Sequence, residues 1–198
     1  MKRLSLILLT LISIQTLAQN YQESIAKHRE HYKKEFLTNG GPLKKKDLEY
    51  LRFYEPDTNY RVKAIFKKAE DASTLFFATS DGQKQEYFKY GVFIFEVKGK
   101  AVILNVYRSL ALMRVPKYRN YLFVPFKDMT NGKETYGGGR YLDLETTDIQ
   151  NDSVILDFNK AYNPYCAFSN GYSCPIPPKE NHLAVTIEAG EKTFGKEH

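Results

Sequence analysis

Val92-Phe93-Ile94-Phe95-Glu96-Val97-Lys98-Gly99-Lys100-Ala101-Val102-Ile103-Leu104-Asn105-Val106-Tyr107 is two runs rich in β-branched and aromatic residues, joined by a short turn. Such residues suit a pleated, half-buried strand, and Lys98-Gly99-Lys100 between them predicts a hairpin. Neighbours along a strand point to opposite faces, so Phe93, Phe95, Val102 and Leu104 are expected to face a core, together with Leu156 further on.

The same alternation recurs outward from this hairpin. Val62, Ala64 and Phe66 alternate with Arg61, Lys63 and Ile65. Further strands are predicted over Thr74–Thr79, Gln85–Lys89, Tyr121–Phe126, Arg140–Leu144, Ser153–Phe158 and Leu183–Ala189. Ser80-Asp81-Gly82, Thr130-Asn131-Gly132 and Gln150-Asn151-Asp152 are turn signals between them. No helical pattern lies between successive strands, which argues against parallel βαβ units. The expected fold is mainly β: an antiparallel bent sheet closing into a barrel-like or sandwich domain, with one N-terminal amphipathic helix. That helix is predicted over 21–37, where Tyr21, Ile25, His28, Tyr32 and Phe36 fall at helical spacing before Asn39-Gly40-Gly41-Pro42. Lys44-Lys45-Lys46 and then Asp47 to Leu51 suggest a further short helical turn.

The first residues speak to compartment. Met1-Lys2-Arg3 is basic, Leu4 to Leu17 is almost unbroken apolar sequence, and Thr16-Leu17-Ala18 offers small residues for cleavage. This is the layout of a signal peptide over 1–18, cut after Ala18. At about 14 residues the apolar run is short for a membrane span, which takes roughly 20. The mature chain, residues 19–198, is therefore expected to be a single exported domain, periplasmic or secreted, with no membrane span. With 14% aromatic and 42% hydrophobic residues the chain is too apolar for disorder. The formal charge of +6 falls to +4 once Lys2 and Arg3 leave with the leader. This mild excess permits anionic ligands without requiring them. No motif points to nucleic acid.

The C-terminal third differs from the rest. From Asp157-Phe158-Asn159-Lys160-Ala161-Tyr162-Asn163-Pro164-Tyr165-Cys166 the chain continues through Cys174-Pro175-Ile176-Pro177-Pro178 to Asn181. A loop of this length in a compact domain is functional or pinned down, and its prolines and asparagines are suitable pins. This block resembles a signature of the DUF1684 family. So do Phe126 with Asp128 and Thr130, the run from Thr135 through Tyr136-Gly137-Gly138-Gly139-Arg140 to Tyr141, and the closing Glu188-Ala189-Gly190-Glu191. The resemblance spans residues 122–191 and is looser around Phe53-Tyr54 and the strand from Tyr60. It brings no activity, cofactor or mechanism with it.

Cys166 and Cys174 are the only cysteines. A disulfide closing the loop would contribute roughly 2–3 kcal/mol by loop-closure entropy; a reactive thiol is the alternative. The resemblance extends to relatives that share both cysteines without a leader, which keeps the thiol reading open. With His182 the two cysteines match no usual zinc spacing, and relatives carry a basic residue at that position, so neither metal nor cofactor is expected. Tyr136 to Arg140 resembles an anion loop but lacks the Lys-Ser/Thr pair of a P-loop and leads into a strand, so a glycine corner is the competing reading. Arg140 is expected either to hold a carboxylate or phosphate or to pair with Asp157 or Glu191.

There is no Gly-x-Ser-x-Gly, no His-Glu-x-x-His and no dinucleotide fingerprint, and the histidines at 28, 31, 182 and 198 offer no evident base. The reading is a β module binding a small polar or anionic ligand. Its candidate residues are Tyr136, Gly138, Gly139, Arg140, Asp157, Asn159, Tyr162, Asn163, Asn181, Glu188 and Glu191, with Tyr141, Tyr162 and Tyr165 as an amphipathic wall. The alternatives are an enzyme, either a hydrolase on Asp157, Glu188 or Glu191 or a thiol enzyme on Cys166, and a structural envelope protein.

Overall fold

The computed structural model describes residues 2–38, 40–71 and 73–196, with side chains described from residue 19 onward. The side chains of the expected leader, and His198, lie outside the described residues. Helix α1 is Lys2–Thr38. It begins earlier than the expected 21–37 because no glycine or proline interrupts the sequence before Gly40-Gly41-Pro42. A 3-10 turn, Lys45–Tyr50, follows at the expected place.

Seven strands then build one antiparallel sheet: β1 (Arg61–Lys68), β2 (Thr74–Ala78), β3 (Lys84–Val97), β4 (Lys100–Ser109), β5 (Tyr121–Phe126), β6 (Arg140–Glu145) and β7 (Ser153–Asp157). The hydrogen-bonded order is β6-β5-β4-β3-β1-β7, with β2 added alongside β3. The sheet curls into a half-barrel, and β6 and β7 are its two ends. The hairpin at Lys98–Lys100 pairs Val97 with Lys100.

The two strands expected over 85–89 and 92–97 are one strand, β3, whose register against β4 shifts between Lys89 and Gly91. A Cβ at Gly91 would stand 2.4 Å from the Lys67 carbonyl oxygen and from the Phe66 ring. Only glycine lets β1 cross that closely, and the bulge bends the sheet there.

Alternation sorts the side chains as expected. Phe93, Phe95, Val102, Leu104 and Leu156 are all buried in the main core. The opposite face of the β3–β6 region carries a second, aromatic cluster: Phe77, Tyr87, Tyr107, Phe123 and Tyr141, with Tyr121 and Tyr162 packed against it. Strand β5 is buried on both faces, giving Leu122, Val124 and Phe126 to one cluster and Phe123 to the other.

One expected strand is absent. Leu183–Ala189 has no strand partner along its length, although Leu183, Val185, Ile187 and Ala189 alternate into the core. The period was legible; the backbone partners were not, because side chains supply several of them. Ile187 N donates to Asp128 Oδ1 (3.2 Å), while Arg140 donates to the carbonyls of Ile187 (2.8 Å) and Ala189. A buried backbone group must find a partner, and here an ion pair does what a neighbouring strand would.

Candidate functional site

On β6, residues 140 and 142 face the main core and 141 and 143 face the aromatic cluster, so the strand presents different chemistry on its two sides. On the core side, Arg140 is fully buried and its Nη2 lies 2.8 Å from Asp128 Oδ2. Asp128 Oδ1 accepts from Thr130 N (2.8 Å) and Thr130 Oγ1 (2.6 Å) as well as Ile187 N. The partner of Arg140 is thus Asp128, not Asp157 or Glu191, and its guanidinium is spent on carbonyls from Ile187 to Glu191. The glycines beside it make a corner: a Cβ on Gly139 (φ +99°) would meet Pro177 and the Phe126 carbonyl, and one on Gly138 would meet the Tyr136 ring. Tyr136 donates to the Cys166 carbonyl and packs with the cluster around Phe36 and Phe168.

The asparagines are pins. Asn181 is fully buried; it donates to the carbonyls of Asn105 and Pro125 and accepts from Asn105 N and Nδ2, so the loop is tied onto β4 and β5. Asn163 donates to the Lys192 carbonyl, and Asn159 donates to Tyr21, Asp157 and the Asp57 carbonyl. Cys166 and Cys174 are joined by a disulfide, their Cα atoms 6.3 Å apart. Glu188 is exposed and paired with Lys98 at 2.5 Å, whose ammonium holds its carboxyl below the usual range.

Glu191 is fully buried. Its Oε2 accepts from Tyr32 Oη (2.9 Å) and Asn163 N (2.8 Å), while Oε1, like Asn163 Oδ1, has no partner among the described residues. Burial pushes its carboxyl up to about 8 against those two hydrogen bonds, so the neutral acid is its form at pH 7.

Glu188 lines a cleft of about 560 Å³ with Tyr60, Lys98 and Lys192; a larger one lies elsewhere. A cleft of about 1350 Å³ runs between the two end strands of the half-barrel, with Tyr141–Glu145 of β6 on one side and Ser153–Asp157 of β7 on the other. Arg61 and Lys63 of β1, one face of α1 (His28, His31, Tyr32, Glu35) and loop residues including Tyr162, Tyr165 and Tyr172–Pro175 complete it. Of the sequence-predicted candidates, Asp157, Tyr141, Tyr162 and Tyr165 line this cleft. Tyr136, Gly138, Gly139, Arg140, Asn159, Asn163, Asn181, Glu188 and Glu191 do not, so the rim expected at Tyr136–Arg140 is displaced to the seam between β6 and β7. Asp157 itself accepts from Tyr21 Oη at 2.8 Å and from Asn159.

At one end of the cleft sits Asp143, which the sequence did not single out. Tyr121 Oη donates to its Oδ1 at 2.7 Å, and Tyr162 Oη lies 2.9 Å from both carboxylate oxygens. The residue is exposed by surface area and faces the cleft, although protein atoms stand close enough around the carboxyl to desolvate it. That crowding raises its carboxyl to about 6, and the two phenols oppose the rise. Burial and the adjacent carboxylate push Tyr121 and Tyr162 well above the usual phenol range, so both keep their protons. His28 is lowered, first by burial and then by Lys160. Among the described residues no three His, Cys, Asp or Glu side chains gather as a metal site. The arrangement can accept hydrogen bonds, balance a positive charge and exchange a proton near pH 6.

The sequence profile of the family described as "Protein of unknown function (DUF1684)" matches residues 46–192. A solved structure is also similar: the solution NMR structure of the uncharacterized protein from gene locus rrnAC0354 of Haloarcula marismortui. It is 32% identical, with 89% of this chain and 96% of that one covered, at a TM-score of 0.66. A search among curated proteins finds no match.

Proposed function

Because the chain belongs to the DUF1684 family, which carries no assigned activity, we propose from its cleft that it is an exported binding module for a small polar ligand. The observation that carries this reading is Asp143, a solvent-reachable carboxylate fixed by two phenols at one end of an aromatic-walled cleft. Small-molecule sites are concave, largely apolar and oriented by a few convergent polar groups. The neighbouring ion pair of Arg140 is closed to ligands, so an anionic group on the ligand would have to meet Arg61, Lys63, Lys117 or Lys160 instead. Export rests on the leader-like start; the disulfide is compatible with it, and among the described residues no helix is long and apolar enough to cross a membrane.

Intact-mass measurement on natively expressed protein is expected to find the chain starting at Gln19. Native mass spectrometry of the same material, followed by NMR titration with a panel of small polar compounds, is expected to shift the amides of Tyr141, Asp143 and Tyr162. A panel that moves none of these signals overturns the binding reading. A second reading, an enzyme using Asp143 as acid or base, is favoured by its carboxyl lying near 6 within hydrogen-bond reach of two phenols. Chemical conversion of a bound compound, lost in Asp143→Asn, would establish it.

A further inference from the structure

We infer that the Asp143 end of the cleft is a seat for an organic ammonium group bearing N–H donors, with the Asp143 carboxylate as counter-charge and tyrosine rings as walls. The inference rests on the cleft being a ligand site, as proposed above, and names the chemistry at that end of it.

Proton bookkeeping comes first. A phenol has one proton to give. Tyr121 and Tyr162 give theirs to Asp143, Tyr141 donates to the Pro175 carbonyl at 2.5 Å, and Tyr32 donates to Glu191. What these side chains leave for a ligand is lone pairs, a carboxylate and ring faces. Such a surface rejects anions and carbonyl oxygens and accepts donors.

Charge points the same way. Among the described residues no Lys, Arg or His lies within ion-pair distance of Asp143. The other charged side chain acting on it is Glu35 of α1, which is also acidic. The carboxylate therefore has hydrogen-bond donors but no counter-charge beside it, and a bound cation would supply one. The rings form a corner: Tyr141 and Tyr162 stand at 89° with centroids 5.8 Å apart, and Tyr32 lies 5.9 Å from Tyr162. Ring faces attract a cation, and the phenol and carboxylate oxygens can take its N–H protons.

Titration supplies a signature. The groups acting on Asp143 are Tyr121 on β5, Tyr162 on the loop and Glu35 on α1, with Tyr87 on β3 and Tyr141 on β6 beside it; Arg61, Lys63, Lys117, Glu145, Asp148, Asp157 and Lys160 also line the cleft. His28 and His31 also line the cleft. Binding needs Asp143 ionised, so with its midpoint near 6 affinity should drop about tenfold from pH 7 to pH 5.

The test is an NMR titration of the full-length protein with n-butylammonium, beside tetramethylammonium, glucose and butyrate, repeated on Asp143→Asn. The inference expects butylammonium to bind best and to perturb Asp143 and Tyr162. Its affinity should fall about tenfold between pH 7 and pH 5, and the asparagine variant should lose both the binding and the pH step. Glucose or butyrate binding in its place overturns the ammonium inference while leaving the cleft a ligand site. Tetramethylammonium binding as tightly shows that N–H donors are not read and overturns it too. A pH step that survives in Asp143→Asn assigns the effect to another group and overturns the role of the carboxylate, and silence from all four probes overturns the inference outright.

Discussion

Asp128 and Asp143 lie on opposite sides of the same sheet region and share a way of being held, yet they differ in what they lack. Asp128 has a backbone N–H, a hydroxyl, a second N–H and a guanidinium. Its charge is balanced and its pair with Arg140 stitches the Leu183–Ala189 segment onto the core. Asp143 has two phenols and no cation. A buried carboxylate whose charge is met by a guanidinium is architecture; a carboxylate without a cation, open to a cleft, is where a ligand gains most. The difference between a site and a scaffold is therefore not the residue type but whether the electrostatics are already closed.

The like-for-like way to break this comparison is to remove one charge on each side. Asp128→Asn leaves Arg140 buried without a counter-charge and is expected to cost about 3–5 kcal/mol. Asp143→Asn is expected to stay within about 1 kcal/mol, because the residue is exposed and no cation is left without its partner. Urea unfolding at pH 7 reads both, and equal losses would erase the distinction.

Glu191 sits between these cases, buried like Asp128 but uncompensated like Asp143. Its folded pKa, about 8, is raised above the ordinary glutamate value of 4.5. Both states are protonated below pH 4.5, where its contribution is fully present. Between about pH 4.5 and 8 the unfolded chain ionises while the fold holds its proton, so stability falls as pH rises and then levels off. Glu191→Gln keeps the shape, can offer its amide on the side of the orphaned Oε1, and should flatten that slope. At pH 8 the variant is expected to be more stable by roughly 2–4 kcal/mol, with no difference near pH 4. Denaturation across that range checks the sign.

These three carboxylates also mark how far the sequence was readable. Alternation and turn residues located β1 to β7 and the inward face of the 92–107 hairpin, because those signals are local. The two cysteines, close in sequence within a proline-rich loop, suggested a bond while leaving a thiol reading open, and the structure joins them. Asp143 announced nothing: Tyr121 and Tyr162 are 22 and 19 residues away and meet it only because β5 pairs with β6 and the loop folds back. The stripe Tyr21, His28, Tyr32 on α1 was legible as a packed face, but not as one that leaves room for a cleft. Arg140 misled for the complementary reason, since an arginine beside glycines has the same sequence pattern whether its partner is a ligand or Asp128.

The disulfide tests whether the cleft depends on its frame. Cys166→Ser with Cys174→Ser frees the loop and is expected to lower stability by about 2–3 kcal/mol. The carboxyl midpoint of Asp143 should stay near 6, since Tyr162 precedes the closed loop and bonds Asp143 directly. Denaturant unfolding and a carbon-detected NMR titration read the two quantities separately. A lost midpoint would mean that the bridge, rather than the phenols, organises the site.

The smallest expected effect is the most pointed. Tyr121→Phe and Tyr162→Phe each remove one oxygen and keep the ring, so packing in the aromatic cluster is largely preserved. Each deletes a hydrogen bond at a solvent-reachable carboxylate, expected to cost only about 0.5–1 kcal/mol. The phenols stabilise the ionised form, so losing either one should move the Asp143 midpoint upward from about 6. Tyr121, whose bond is the shorter at 2.7 Å against 2.9 Å, should move it at least as far as Tyr162. The same titration on Asp128→Asn should leave Asp143 where it was, provided the variant folds, because that change lies on the other face of β6. A midpoint that falls when a phenol is removed would mean the hydroxyls burden the carboxylate instead of holding it, and the contrast between a closed ion pair and an open acceptor would lose its physical basis.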